Sequence, residues 1–158
     1  MEDVIIRQME ERDLEEVYQI EKESFTMPWT YDDFKDSINH ENNFYLKIYL
    51  IAENQGKIIG YCGLWGIAGE GQINNVAVKK EYRGQHVAFK MLQMLIEMGL
   101  KNNLNSFTLE VRVSNISAIR LYHHLGFEDA GTRKNFYDLP KEDAIIMWLN
   151  AGENKNQI

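Results

Sequence analysis

Apolar residues recur along this chain at two spacings, one typical of strands and one of helices. Val4 to Arg7 reads as a short strand. Asp13 to Phe25 carries a helical rhythm, with Leu14, Val17, Tyr18 and Phe25 near its inner face. Pro28 breaks that rhythm, and Tyr31 to Asn39 makes a short second helix. Phe44 to Glu53 and Lys57 to Trp65 read as paired strands turning at Asn54-Gln55-Gly56. Gly71 to Val78 is another strand. Val87 to Lys101 is a long helix with Ala88, Met91, Leu92, Leu95, Ile96 and Gly99 on a broad apolar face, and Lys90, Gln93, Glu97 and Lys101 toward solvent. Phe107 to Val113 is a strand. Ile116 to Leu125 is a helix with Ala118, Leu121, Tyr122 and Leu125 on one face. Ser114 or Asn115 can cap its start and Gly126 can end it. Phe127 to Arg133 and Ala144 to Leu149 read as closing strands. Such a mixture predicts an α+β or α/β layered sheet, not a bundle or a sandwich.

Length and composition narrow the class. The 158 residues fit one domain, set at 1–150, with a polar, frayed tail at 151–158. The formal net charge of −7 and the lack of basic runs argue against nucleic-acid binding, while a basic peptide is electrostatically compatible. The single cysteine, Cys62, rules out an internal disulfide and a Cys-rich zinc site. It lies in an apolar strand and reads as a buried structural thiol. His40, His123 and His124 lack metal-ligand spacing and read as surface residues, so no metal is expected. The acidic N-terminus is unlike a signal peptide, and no apolar run approaches the ~20 residues that span a bilayer. The expectation is a soluble, cytoplasmic, monomeric protein.

Two segments carry candidate chemistry. Glu81 to Ala88 joins a strand to the long helix. Its Arg83, Gly84 and Ala88 suit an anion held by unpaired helix N–H groups and the helix dipole. A plain strand-to-helix turn with a surface arginine fits these residues equally well. The loop is neither a Walker loop nor a Rossmann fingerprint. Leu109 to Phe127, LEVRVSNISAIRLYHHLGF, places a carboxylate, Glu110, and a phenol, Tyr122, on adjacent elements. By themselves they read as a strand-end carboxylate and a core aromatic.

The order strand, R-x-x-G-x-A-like loop, helix, strand, S-N-x-x-A-I-x-L-Y-x-x-L-G-F resembles the GNAT acetyltransferases, and most closely the bacterial ribosomal-protein-alanine N-acetyltransferases of the RimI type. Phe25 to Thr30, Asn75 to Val78, Leu109 to Arg112 and Glu142 to Met147 support the resemblance, which runs from about Val4 to Leu149. It implies a mostly antiparallel twisted sheet, flanked by helices and splayed at the cofactor strand. It implies acetyl-CoA as cofactor, with Val76, Ala77 and Val78 along the pantetheine arm. Arg83, Gly84, Gln85, His86, Val87, Ala88 and Phe89 would lie at the pyrophosphate, and Asn115 near the reactive end. Glu110 would be the general base and Tyr122 the general acid. Phe25, Trp29 and Tyr137 would border a peptide groove, between loops at 25–29 and 135–140, that takes a protein N-terminus, by resemblance that of a ribosomal protein. Trp65 is expected in the core or the groove wall.

One position departs from the family pattern: His86 stands where glycine is usual, so either a Cβ there strains the phosphate loop or blocks the cofactor, or the imidazole bonds a phosphate and is tolerated. Two rival functions follow from the same residues. One is a GNAT enzyme for another amine, a small metabolite or a lysine. The other is a non-catalytic acyl-CoA-binding module, against which the paired Glu110 and Tyr122 argue.

Overall fold

The computed structural model describes residues 3–39 and 45–151; the expected start of a strand at Phe44, His40 and the tail from 152 lie outside them. Among the described residues, seven strands form one sheet in the order β1-β2-β3-β4-β5-β7-β6. They are β1 (Val4–Gln8), β2 (Leu46–Asn54), β3 (Lys57–Ile67), β4 (Glu70–Val78), β5 (Ser106–Arg112), β6 (Glu128–Asp138) and β7 (Lys141–Asn150). The helices are α1 (Leu14–Ser24), α2 (Tyr31–Asn39), α3 (Val87–Lys101) and α4 (Ile116–His124). None is long and apolar enough to cross a membrane.

The strand period of two sorts side chains onto two cores. On β2, Ile48, Leu50 and Ala52 face α3, while Tyr49 and Ile51 face α1 and α2. The α3 side buries Met91, Leu92 and Leu95 completely. Here Gly99 permits close approach, because a Cβ would stand 2.7 Å from the Phe107 ring. The opposite core is built on Leu14, Val17, Ile20, Phe34 and Tyr61.

The strands pair antiparallel except at β4–β5, which is parallel and brief. Only Glu70, Gly71 and Gln72 pair with Ser106, Phe107 and Thr108. Beyond Gln72 the two strands separate. A register shift at Gly63/Leu64 in the β3–β4 ladder leaves Asn74 out of the pairing just past that fork. The local increase in twist that accompanies a bulge accounts for the divergence. β5 instead pairs with β7 along its whole length. The expected splay is therefore present, as a wedge between β4 and β5.

Three expectations need correction. Phe25 is not on the inner face of α1: the helix ends at Ser24, and Phe25 is 41% exposed in extended backbone. Tyr18 is half-buried, and the inward stripe runs through Leu14, Val17, Ile20 and Glu21. The segment 135–140 is not a loop, because β6 continues to Asp138 and turns into β7 through Leu139 and Pro140. Every residue of β6 up to Phe136 is exposed on this edge strand. No alternation of apolar and polar residues marks its length.

Candidate active site

The wedge opens into a cavity of about 440 Å³ lined by Phe25, Trp29, Val76, Glu110, Asn115, Tyr122 and Tyr137, together with Glu21, Asn75 and Arg112. Candidates scattered over more than a hundred positions of sequence thus meet in one place. Ala77 and Val78 lie further along β4 and are buried. The segment from Arg83 to Phe89 lies outside the cavity lining, at the entrance to α3.

Glu110 and Tyr122 reach this cavity from opposite faces of the sheet. Phe107, Leu109 and Val111 point into the α3 core, so Glu110 and Arg112 project from the α1 face. Tyr122 belongs to the α3 core, 8% exposed, with its ring edge-on to Phe127 at 5.9 Å. In a continuous sheet the backbone would divide these groups; the wedge removes that barrier. Glu110 sits at the fork, where Gln72 Nε2 donates to its Oε2 at 3.4 Å and Arg133 stands 3.9 Å from its Oε1.

Burial pushes the Tyr122 phenol well above its ordinary range, and the nearby Tyr137 and Cys62 push the same way. Its hydroxyl therefore holds its proton at neutral pH. Tyr137 is pushed up to about 12, chiefly by burial and then by the charge of Glu110, with Arg112 opposing. Cys62 is fully buried, and burial raises its thiol, leaving it inert.

The helix ends are arranged as the sequence suggests. Asn115 caps α4, its Oδ1 accepting from Ala118 N at 3.2 Å. Gly126, at φ 101°, follows its end. At α3 the N-cap is His86, whose side chain makes no capping bond, and the first turn carries no acidic residue. The first turns of α1 and α2 carry Glu15 and Glu16, and Asp32 and Asp33. The N–H groups opening α3 are thus left without a capping side chain or a carboxylate. A Cβ on Gly84 would meet nothing within 4 Å, so the loop stands in open space. His86 adopts the left-handed conformation, φ 65° and ψ 18°, that glycine would take without strain. The departure from glycine therefore alters the cost of the loop rather than its path. Arg83 turns back, its Nε donating to Val78 O at 2.9 Å. An uncapped helix start, an open loop and a split strand pair suit an extended ligand with a phosphorylated end, as acetyl-CoA is.

Sequence reasoning overlooked Glu21, which is 2% exposed and lines the cavity. Its carboxylate accepts from Tyr61 Oη at 2.6 Å, from Asn75 Nδ2 at 3.3 Å and from Trp29 N at 3.3 Å. One buried group thus ties α1, β3, β4 and the 25–29 loop together. Burial raises its pKa, with those three bonds opposing. The available signal was an acidic residue on the buried stripe of a helix, four positions after Val17. Trp29 also packs on Phe34 and Trp65, at 5.2 and 6.4 Å between ring centres. Trp65 is 40% exposed, lies behind Trp29 outside the cavity lining, and its Nε1 donates to Tyr49 Oη at 2.8 Å.

Comparison with known proteins agrees with this geometry. A model of the acetyltransferase (GNAT) family matches residues 14–127. A provisionally named ribosomal protein bS18-alanine N-acetyltransferase of Bacillus subtilis is 42% identical over 150 residues, covering 94% of this chain and 96% of its own. The ribosomal protein bS18-alanine N-acetyltransferase of Escherichia coli K12 is 34% identical over 146 residues, covering 91% and 95%. The crystal structure of the ribosomal-protein-S18-alanine N-acetyltransferase from Escherichia coli superimposes with a TM-score of 0.84 at 30% identity, covering 99% of each chain. That of Ard1 from Thermoplasma volcanium gives 0.83 at 25% identity, covering 94% of this chain and 97% of its own. With its strand wedge, its uncapped α3 and a family match over most of its length, this chain belongs to the GNAT family of acetyltransferases.

Proposed function

We propose that the protein transfers the acetyl group of acetyl-CoA to the α-amine of an N-terminal alanine, on a small-subunit ribosomal protein of the kind its relatives modify. The observation that carries this reading is one cavity reached by a carboxylate from one sheet face and a protonated phenol from the other. Acetyl-CoA, when bound, supplies an activated acyl group. Residues 84–89 at the start of α3 would hold its pyrophosphate by backbone N–H groups, with Arg83 alongside. The free edge of β4 at Val76 to Val78 would pair with its pantetheine arm, and Asn115 would lie near the thioester.

The amine must be neutral to attack. An α-amine, with a pKa of about 8, is about a tenth neutral at pH 7, whereas a lysine near ~10.4 is far less available. Glu110, at the fork, accepts the amine's proton directly or through one water. Tyr122 returns a proton to the departing sulfur, and burial keeps that proton in place until it is needed. Trp29, Phe25 and Tyr137 form an aromatic wall for the first residues of the peptide.

Kinetics of CoA release with a panel of peptides tests the reading. A peptide starting with alanine is turned over, and the same peptide with a blocked N-terminus is not. Equal turnover of the blocked peptide, or turnover of small amines alone, rejects it.

A further inference from the structure

We propose that Arg112 is a positioning residue that holds the β6–β7 hairpin tip, and with it Tyr137, against the cavity, so that the peptide-binding wall is built before the peptide arrives. The proposal rests on the peptide-acetylating reading of the same cavity.

Arg112 lies two residues after Glu110, on the same strand face. Both terminal nitrogens of its guanidinium and one of its faces are engaged. Nη1 donates to Pro140 O at 2.8 Å and Nη2 to Leu139 O at 3.2 Å. The plane lies over the Tyr137 ring at 4.2 Å. Nη1 also pairs with Glu142 Oε2 at 3.3 Å. The other oxygen of Glu142 accepts from Ser114 N at 2.7 Å, immediately before the α4 cap. Leu139 O accepts a second bond, from the Thr26 hydroxyl. Three segments therefore converge on one side chain: the end of β5, the hairpin tip, and, through Leu139, the 25–29 loop.

The hairpin needs such a tie. It is the edge of the sheet, its β6 strand buries almost nothing, and its pairing with β7 is irregular between Arg133 and Tyr137. Within the hairpin Tyr137 pairs with Glu142 and meets the Phe136 ring edge-on at 5.0 Å, and Arg112 ties that unit to β5. Only a planar, multiply donating cation can bond two successive carbonyls and cover a ring at once. Lysine offers a point charge and cannot do all three.

The test compares wild type with Arg112→Lys and Arg112→Gln. The readouts are KM for an alanyl peptide, KM for acetyl-CoA, kcat, and amide exchange of residues 136–142. The expected result is a peptide KM about tenfold higher, the order that lost preorganisation produces, with the glutamine variant worse than lysine. The KM for acetyl-CoA stays within about twofold, and the hairpin-tip amides exchange about tenfold faster while α3 is unchanged. An unchanged peptide KM, a fall in kcat alone, or an equal rise in both KM values overturns the proposal. Amide exchange needs no substrate. If wild type fails to acetylate the peptide, the functional reading fails, while unchanged exchange at the tip still refutes the clamp and faster exchange still supports it.

Discussion

Replacing Tyr122 by Phe separates chemistry from packing more cleanly than any other change at this site. The ring is buried against Phe127 and the α3 core, and the substitution keeps all of that contact. Among the described residues, no hydrogen bond to the Tyr122 hydroxyl is present, so its removal orphans no buried partner. Stability should therefore shift by no more than about 0.5 kcal/mol, the range of substitutions that break nothing. The proton for the departing sulfur is lost outright. Loss of one general acid costs about a hundredfold to ten-thousandfold in rate, about 3–5 kcal/mol in the barrier. Because burial raises the Tyr122 pKa, wild type keeps this proton throughout the working range. The ratio of wild-type to variant rates should then be flat from about pH 6 to pH 9, where the amine itself titrates. Stopped-flow detection of free thiol, beside thermal unfolding, reads both quantities. A Phe variant with normal stability and full speed would make Tyr122 a packing residue. A variant that loses several kcal/mol of stability would refute the claim that its hydroxyl serves the cavity alone.

Other substitutions test the remaining parts. Glu110→Gln should leave acetyl-CoA affinity unchanged and slow single-turnover acetyl transfer, most below about pH 8, where little α-amine is neutral; unchanged transfer across that range removes Glu110 from the mechanism. Glu21→Leu strands the fully buried Tyr61 hydroxyl and two further donors, so it should cost about 2–4 kcal/mol by denaturant unfolding, and adding Tyr61→Phe should recover part of it. Burial raises the folded pKa of Glu21, so its contribution is full below the unfolded value of about 4.3 and is lost as pH rises through the folded value. The deficit of the leucine variant should therefore shrink from acid to neutral pH, and a deficit that grows would contradict this. His86→Gly relieves a left-handed non-glycine residue, a strain of about 1 kcal/mol partly offset by greater freedom when unfolded. Melting should rise slightly and CoA affinity by titration calorimetry should change less than about threefold; tenfold weaker binding would assign the imidazole to a phosphate contact.

Periodic elements were legible in the sequence because one face of each is buried. The bounds of α2 and α3 match the helical pattern, and Asn115 and Gly126 cap and close α4 as their chemistry requires. The sequence pattern marks the edge strand β6 only as far as Arg133 because, with nearly every residue exposed, no period-2 signal exists; the pairing partner β7 defines the rest. Phe25 looked like a core residue by spacing, yet the helix ends one residue earlier and releases it toward the cavity. Glu21 escaped notice because a carboxylate on an apolar stripe has meaning only once Tyr61, Asn75 and Trp29 are brought around it from distant segments. The role of Arg112 likewise depends on a hairpin 27 to 28 residues away in sequence.

On the proposed function, the wedge between β4 and β5 delivers an acetyl group to a peptide α-amine. Tandem mass spectrometry of an alanyl peptide with internal lysines, after incubation with the protein and acetyl-CoA, tests it most directly. The expected product carries a single acetyl group on the first residue and unmodified lysines. Acetylation confined to lysine side chains, or none on the peptide while a small amine is modified, would contradict it.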